Sequence, residues 1–412
     1  MIEREGYALA SGIALGLVNL ASSNKSKKNT ESENLPSILG IQVPAQNARM
    51  QDLQLDERLI RFIEGGRAMP LPRSMLSNAQ QHEGNKSSAI KENDMVNVYV
   101  TGSAGIMALA LTHLKSNNQD IAQRLVMPHT FYDMEFVMPQ ILLQKVLCKN
   151  LILWENIQCS QDWLDAQIPP LIREIYEADF EQVMKKFSAR VKMDEVDFAT
   201  VALCYVNIIA GATFSIGFKY AGTGSQDAKA LIINQIEFFR KKLKVVPGTQ
   251  PSGGPILTNT TPETKNQVDK ATVETCLCVL AFSLGLVMAG TCDVEAFRQL
   301  RVLRKRLEGE MHYGYNLAVN MAIGFLFLGS GAYTFSRSER AIAALLISTY
   351  PILPSNASDN RFHLQALRHF YVLAIETRLL QAKDIDTGKF VNIDVIVKVR
   401  DECTGQISTV QQ

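Results

Sequence analysis

Six histidines (His82, His113, His129, His312, His363, His369) and seven cysteines (Cys148, Cys159, Cys204, Cys276, Cys278, Cys292, Cys403) are the groups with which this chain could ligate a metal or attack an electrophile. Their spacing supports neither chemistry. A zinc site wants paired ligands, as in CxxC or HExxH, because one turn must present both to the same ion. No such pair occurs, and His363 and His369, six residues apart, fall on different faces of a helix. Most of the cysteines lie in apolar runs, where a thiol packs as a small hydrophobe. A scattered, odd set is the pattern of a reducing compartment, cytosol or nucleus. Gly222-Thr-Gly224-Ser225 and Gly329-Ser-Gly331 lack the strand before and the lysine after that a phosphate cradle needs, and read as helix C-caps. Asp194, Glu195 and Asp197 precede an apolar run and read as helix-start charge. No catalytic, cofactor-binding or metal-ligating residue is assigned, and no small-molecule substrate is expected.

Without chemistry to position, the elements must be read for what they build. The chain has 412 residues, 47% of them hydrophobic, enough to bury a large core. Lys+Arg 42 against Asp+Glu 41 leaves a net charge of +1, so no basic field gathers nucleic acid and partners must be recognised by shape and local patches. The start, Met1-Ile-Glu-Arg-Glu5, is acidic and unlike an export signal. Tyr313 to Ser336 contains no charged residue and has the length of a bilayer span, which keeps a polytopic membrane protein in view as an alternative. Against it stand Asn316, Asn320 and the Gly329-Ser-Gly331 cluster. A helix walled in by neighbours is apolar all round for a different reason, and no membrane partner is expected.

Internal repetition carries more information. Gly6-Tyr7-Ala8-Leu9-Ala10 overlays Gly314-Tyr315-Asn316-Leu317-Ala318, and at the same offset Ala14 falls on Ala322 and Gly16 on Gly324. Weaker copies are Ala104, Ala108, Ala110 and Leu114; Gly211, Ser215, Gly217 and Ala221; and Ser283, Gly285 and Ala289. Glycine weakens an isolated helix by about 1 kcal/mol relative to alanine, a loss tolerated where it permits close helix–helix contact. Gly6, Gly12, Gly16, Ala104, Ala110, Gly211, Gly217, Gly285, Gly314 and Gly324 are therefore expected at tight contacts. Each small-residue helix is followed by a more amphipathic stretch (Asn118 to Leu125, Gln226 to Leu243, Glu339 to Tyr350), so the unit reads as helix–turn–helix with the second helix half exposed. The fold class is all-α, an α/α superhelix or toroid over residues 1–380, with polar inserts at about 22–50, 77–95 and 246–268. Residues 381–412 form a short β segment and tail: Phe390 to Val399 alternates as a strand, with a partner expected near Asp384 to Asp386. A helix is expected over Arg361 to Leu380, and its Arg361, His363, Arg368 and His369 are candidates for an interface.

Gly6-Tyr-Ala-Leu-Ala-Ser-Gly-Ile-Ala-Leu-Gly-Leu and its copy from Gly314 resemble the proteasome/cyclosome repeat, found in the two large non-ATPase proteasome subunits and in the anaphase-promoting complex subunit 1 family. Leu151-Ile-Leu-Trp154, Trp163-Leu-Asp-Ala-Gln-Ile-Pro169, Gly309-Glu-Met-His-Tyr-Gly314 and Asp359-Asn-Arg-Phe-His-Leu-Gln-Ala-Leu-Arg368 are similar to the latter family in the same order, and the likeness runs from Gly6 to about Val399. The resemblance implies a non-catalytic scaffold of a cullin-RING-type ubiquitin ligase, in nucleus and cytoplasm. It also implies contacts with subunit 10, the cullin-like subunit 2 and neighbouring scaffold subunits. A subunit of the proteasome regulatory particle is the alternative with the same repeats. The absence of a catalytic cysteine domain or paired zinc ligands agrees with catalysis residing in partner subunits.

Overall fold

The computed structural model describes residues 2–22, 54–67, 95–187, 198–244, 266–304, 313–359, 365–378, 382–391, 396–400 and 407–411. Most of the three polar inserts lies outside the described residues, as do Arg361, His363, His82, His312, Cys403 and the Asp194–Asp197 cluster. The chain divides into two compact units, Met1–Glu376 and Thr377–Gln412.

In the first unit, fifteen α-helices are described: α1 (Ile2–Val18), α2 (Leu55–Glu64), α3 (Val98–Thr112), α4 (Gln119–Gln123), α5 (Phe131–Phe136), α6 (Pro139–Ile152), α7 (Gln161–Ala166), α8 (Pro170–Glu177), α9 (Phe180–Phe187), α10 (Phe198–Lys219), α11 (Gln226–Lys244), α12 (Lys270–Val287), α13 (Val294–Arg304), α14 (Tyr313–Leu326) and α15 (Glu339–Ser348). The small-residue helices form one row, in which α1 packs on α3, α3 on α6, α6 on α10, α10 on α12 and α12 on α14. Shorter amphipathic helices flank them: α2 lies on α3, α8 on α10, α11 on α12 and α13 on α14. The architecture is an all-α superhelical array. Polar side chains start its elements. Asn97 accepts from the Tyr99 N–H at the head of α3, and Asp269 accepts from the Thr272 N–H at 2.8 Å at the head of α12.

Two of the row's helices, α10 and α12, are long and apolar enough to cross a membrane, yet 94% and 83% of their apolar windows are buried inside the array. Neighbours rather than lipid surround them, so nearly every residue from Val201 to Phe218 is buried regardless of which face it occupies.

Helix α15 departs from the expectation that Glu339 to Tyr350 is a half-exposed partner of the preceding helix. Every residue from Ala341 to Ser348 is buried. Its N-terminal approach meets the C-terminal ends of the row. Lys115 Nζ donates to the Arg337 carbonyl, and Thr334 Oγ1, in strand β1 (Tyr333–Phe335), donates to the Gly222 carbonyl. Its other end lies among the N-terminal halves of row helices, where Tyr350 sits beside Ser103 and Gln144 and Leu353 lies against Gly314. The helix thus runs antiparallel to the row and is enclosed by it. The reason is legible in Ala341-Ile-Ala-Ala-Leu-Leu-Ile347, which has no polar face to turn toward water.

The helix expected over Arg361 to Leu380 is a 3₁₀ segment over Gln365–Ala374, followed by strand β2 (Ile375–Thr377). In the second unit, β3 (Ala382–Lys383) pairs antiparallel with β4 (Phe390–Val391), and β5 (Ile396–Arg400) with β6 (Ile407–Gln411). The expected strand from Phe390 to Val399 is represented by β4 and β5. The partner expected near Asp384 to Asp386 is β3, and those residues form the turn of the hairpin: the Asp384 carboxylate accepts from the Asp386 and Thr387 N–H groups at 2.8 and 2.9 Å.

Candidate functional site

Among the described residues, no three His, Cys, Asp or Glu side chains approach as metal ligands would. The feature that recurs with defined geometry is the joint between successive row helices. It has three parts.

The first is backbone proximity at small residues. A Cβ added at Gly211 would lie 2.5 Å from the Leu143 carbonyl oxygen, at Gly217 2.8 Å from Ser283 Cα, and at Gly285 2.9 Å from both Ala322 Cα and its carbonyl oxygen. At the α1–α3 joint, Gly12 faces the Ala104 carbonyl and Gly16 would meet Ala108 Cα at 3.1 Å, with Ala104 and Ala110 themselves buried. Backbone, unlike the tip of a side chain, has nowhere to retreat, so these positions admit hydrogen only. Gly6 lies half-buried on α1.

The second part is polar. At the α6–α10 joint a small residue is replaced by buried Asn150, whose Nδ2 donates to Ser215 Oγ at 3.3 Å; that hydroxyl in turn donates to the Gly211 carbonyl at 2.9 Å. At the α3–α6 and α10–α12 joints, the Cys148 and Cys276 thiols point at the Ile106 and Val206 carbonyls. Burial pushes both thiols well above the ordinary cysteine range, so they pack as neutral groups.

The third part lies in the turns. Lys115 and Asn117, Gly222 and Gly224, and Gly290 and Cys292 all have left-handed backbone, with φ between 51° and 70°. Each pair aims its N–H groups at the last carbonyls of the next helix: Lys115 to Leu151 and Asn117 to Ile152 (2.9 Å each), Gly222 to Leu286 (2.8 Å), Gly224 to Val287 (2.9 Å), Gly290 to Phe325 (2.9 Å) and Cys292 to Leu326 (3.1 Å). Ala21 (φ 49°) does the same to Leu111 at 3.0 Å. A helix C-terminus leaves four carbonyls without intrahelical partners, and here the preceding turn satisfies two of them. The Gly222-Thr-Gly224 turn therefore ends one helix and fastens the next.

One residue read as an interface candidate stands elsewhere. Arg368 is turned inward, 2% exposed. Its guanidinium donates to the Tyr350 and Ile352 carbonyls at 2.9 and 2.8 Å and to the Ser348 carbonyl at 3.4 Å. These oxygens close α15, and a planar fork with five donors is the side chain that reaches several of them together. Burial lowers the Arg368 pKa to about 10, which leaves it charged at neutral pH. His369, on the adjacent position, is exposed.

The tight contact expected at Gly324 is not found: no atom lies within 4 Å of where its Cβ would be. Among the described residues α14 is the last small-residue helix, so no successor fills the position. A groove of about 450 Å³ runs along it, walled by Leu317, Asn320, Met321, Phe325 and Tyr371. Gly329 and Gly331 repeat the left-handed turn with φ of 54° and 92°. Gly314, at the other end of α14, meets Leu353 and Pro354 rather than a row helix. At the far side of the array, α1 exposes Tyr7, Ala10, Ser11, Ala14, Leu17 and Val18, a largely apolar stripe at helical spacing, with Tyr7 74% exposed. Among the described residues, these two helix faces have no neighbour packed against them.

Residues 1–376 match the family model described as the APC1 fifth domain. The chain is 36% identical over 386 residues to anaphase-promoting complex subunit 1 of Mus musculus, covering 94% of this chain and 17% of the relative. It is 36% identical over 402 residues to the Arabidopsis thaliana subunit 1 (97% and 22%) and 37% identical over 347 residues to that of Dictyostelium discoideum (79% and 15%). The chain spans about a fifth of the length of these relatives.

Proposed function

Because the chain belongs to the anaphase-promoting complex subunit 1 family, matching its fifth domain, we propose that it serves as a non-catalytic scaffold segment of the anaphase-promoting complex, the cullin-RING-type ubiquitin ligase that governs mitotic progression. The observation that carries this reading is the run of stapled joints, which produces a stiff body with, among the described residues, two helix faces open to partners. Backbone hydrogen bonds between successive turns, together with glycine contacts, resist bending at each joint. Rigid repeat arrays of this kind present extended surfaces to partners. The repeat type is that of the proteasome/cyclosome proteins. The partners are the ligase's subunit 10, its cullin-like subunit 2 and neighbouring scaffold subunits, in nucleus and cytoplasm, with ubiquitin transfer performed by those partners.

The test is affinity purification of a tagged copy from mitotic cells, followed by mass spectrometry. Co-purification of several ligase subunits in fixed proportion is expected. Recovery of the proteasomal ATPase ring instead, or retention in the membrane pellet after a carbonate wash, would overturn the reading.

A further inference from the structure

Three joints of the row share one register. Gly217 of α10 lies against Ser283, two residues before Gly285 of α12. Gly285 lies against Ala322, two residues before Gly324 of α14, and Gly16 of α1 lies against Ala108, two residues before Ala110 of α3. Gly324 is the same element with nothing set against it among the described residues, and the left-handed turn at Gly329 and Gly331 follows it as Gly290 and Cys292 follow Gly285. The register specifies what fits there: an outward-facing small residue two places before a glycine. Ala14, exposed on α1 two residues before Gly16, has that position.

The match extends along both helices. At the offset that lays Gly6 on Gly314, Tyr7, Ala10, Ala14 and Leu17 correspond to Tyr315, Ala318, Ala322 and Phe325. The four on α14 are buried within the array, and the four on α1 are exposed. Conversely, Asn320, Gly324 and Phe327 are exposed, while their counterparts Gly12, Gly16 and Asn19 are buried. Each helix leaves open the face that the other has closed. No charged side chain lines the groove along α14 or the stripe on α1. The Ser11 hydroxyl in that stripe donates to the Tyr7 carbonyl at 2.8 Å, so covering it strands no donor. We propose that the groove along α14 receives α1 of a second copy of this chain, head to tail, with Ala14 set against Gly324. The contact continues between molecules the joint that α12 makes with α14 within one. Such a contact joins two different faces, so every assembly keeps a free face of each kind unless it closes into a ring, and growth passes beyond the dimer.

The experiment is sedimentation velocity of the whole chain over a concentration series. A weight-average mass that rises with concentration past that of a dimer is expected. Gly324→Leu overfills the groove and Ala14→Arg brings an unpaired charge to it, so each weakens association by about tenfold or more. Both positions are exposed, so both variants fold. Gly324→Leu keeps a working α1 face and Ala14→Arg a working α14 face, so an equimolar mixture of the two forms a dimer and nothing larger. Association that survives either variant, a mixture that stays monomeric, or a wild-type chain that is monomeric at every concentration overturns the proposal. A monomer in which Gly324→Leu lowers the melting temperature assigns the groove to another part of the same chain and overturns it as well.

Discussion

Gly285 and Gly324 occupy the same place in successive copies of one motif, yet one is sealed and the other open. At Gly285 the backbone of Ala322 stands 2.9 Å from an added Cβ; at Gly324 there is nothing within 4 Å. Gly290 and Cys292 pass their N–H groups to Phe325 and Leu326, while Gly329 and Gly331 repeat the left-handed turn at the end of the row. A helix can thus carry the complete grammar of a joint without making one, because the burial of a glycine is a property of the neighbour that arrives. The open copy matters for a scaffold: the apparatus that holds the array together is also what its outer face offers.

The sharpest way to break this comparison is to place leucine at each glycine. Gly285→Leu drives a side chain into backbone and should destabilise the array by about 3 kcal/mol or more, lowering the calorimetric melting temperature by several degrees. Gly324→Leu should leave it unchanged within about 0.5 kcal/mol. A matching loss at Gly324 would mean that another part of the chain covers it in solution.

A second substitution asks whether the joints or the enclosed helix dominate. Arg368→Ala strips donors from the Tyr350 and Ile352 carbonyls and should cost about 2–3 kcal/mol, read by denaturant midpoint. Arg368→Lys should recover less than half of that, since an ammonium cannot span both oxygens. Full recovery would assign the effect to charge alone.

The smallest expected effect concerns the outer layer. Asp293 caps α13 through the Ala296 N–H at 2.8 Å and pairs with Lys229 of α11 at 3.1 Å. Burial alone would raise its pKa; the Ala296 N–H and the Lys229 ammonium outweigh it and hold the carboxyl below its usual value. Because the folded pKa is depressed, the stabilisation is fully present above the ordinary carboxylate pKa of about 4 and fades as the pH falls through the folded value. Asp293→Asn keeps a capping side chain but removes the charge, and should cost about 0.5–1 kcal/mol at pH 7 and almost nothing in strong acid. A loss that is constant with pH would show the ion pair to be irrelevant.

The row of helices was legible because glycine and alanine at helical spacing have few other uses, and because Gly6-Tyr-Ala-Leu-Ala and Gly314-Tyr-Asn-Leu-Ala share one offset. The place of α15 was not. Glu339 and Arg340 at its head suggested an amphipathic partner, and local periodicity does not say that a segment will be enclosed by elements distant in the chain. Arg368 misled for the same reason: a charge in sequence reads as surface until the carbonyls that need it are known. The turns of the joints were half legible, since Gly222 and Gly224 announce left-handed backbone while Lys115, Asn117 and Cys292 adopt it with no such sign.

The enclosed course of α15 also bears on how the molecule is made. An ordinary stack of hairpins can condense as it leaves the ribosome, each unit closing on the one before through short loops. Here the residues on either side of a helix near the end of the described array touch the turns after α3 and α10 and the N-terminal halves of α3 and α6, so these contacts span most of the chain. Loop closure of that length slows folding. Until Ala341 to Ser348 is synthesised and threaded into place, the inner faces of the row have no lining, and the nascent chain must shield them by other means.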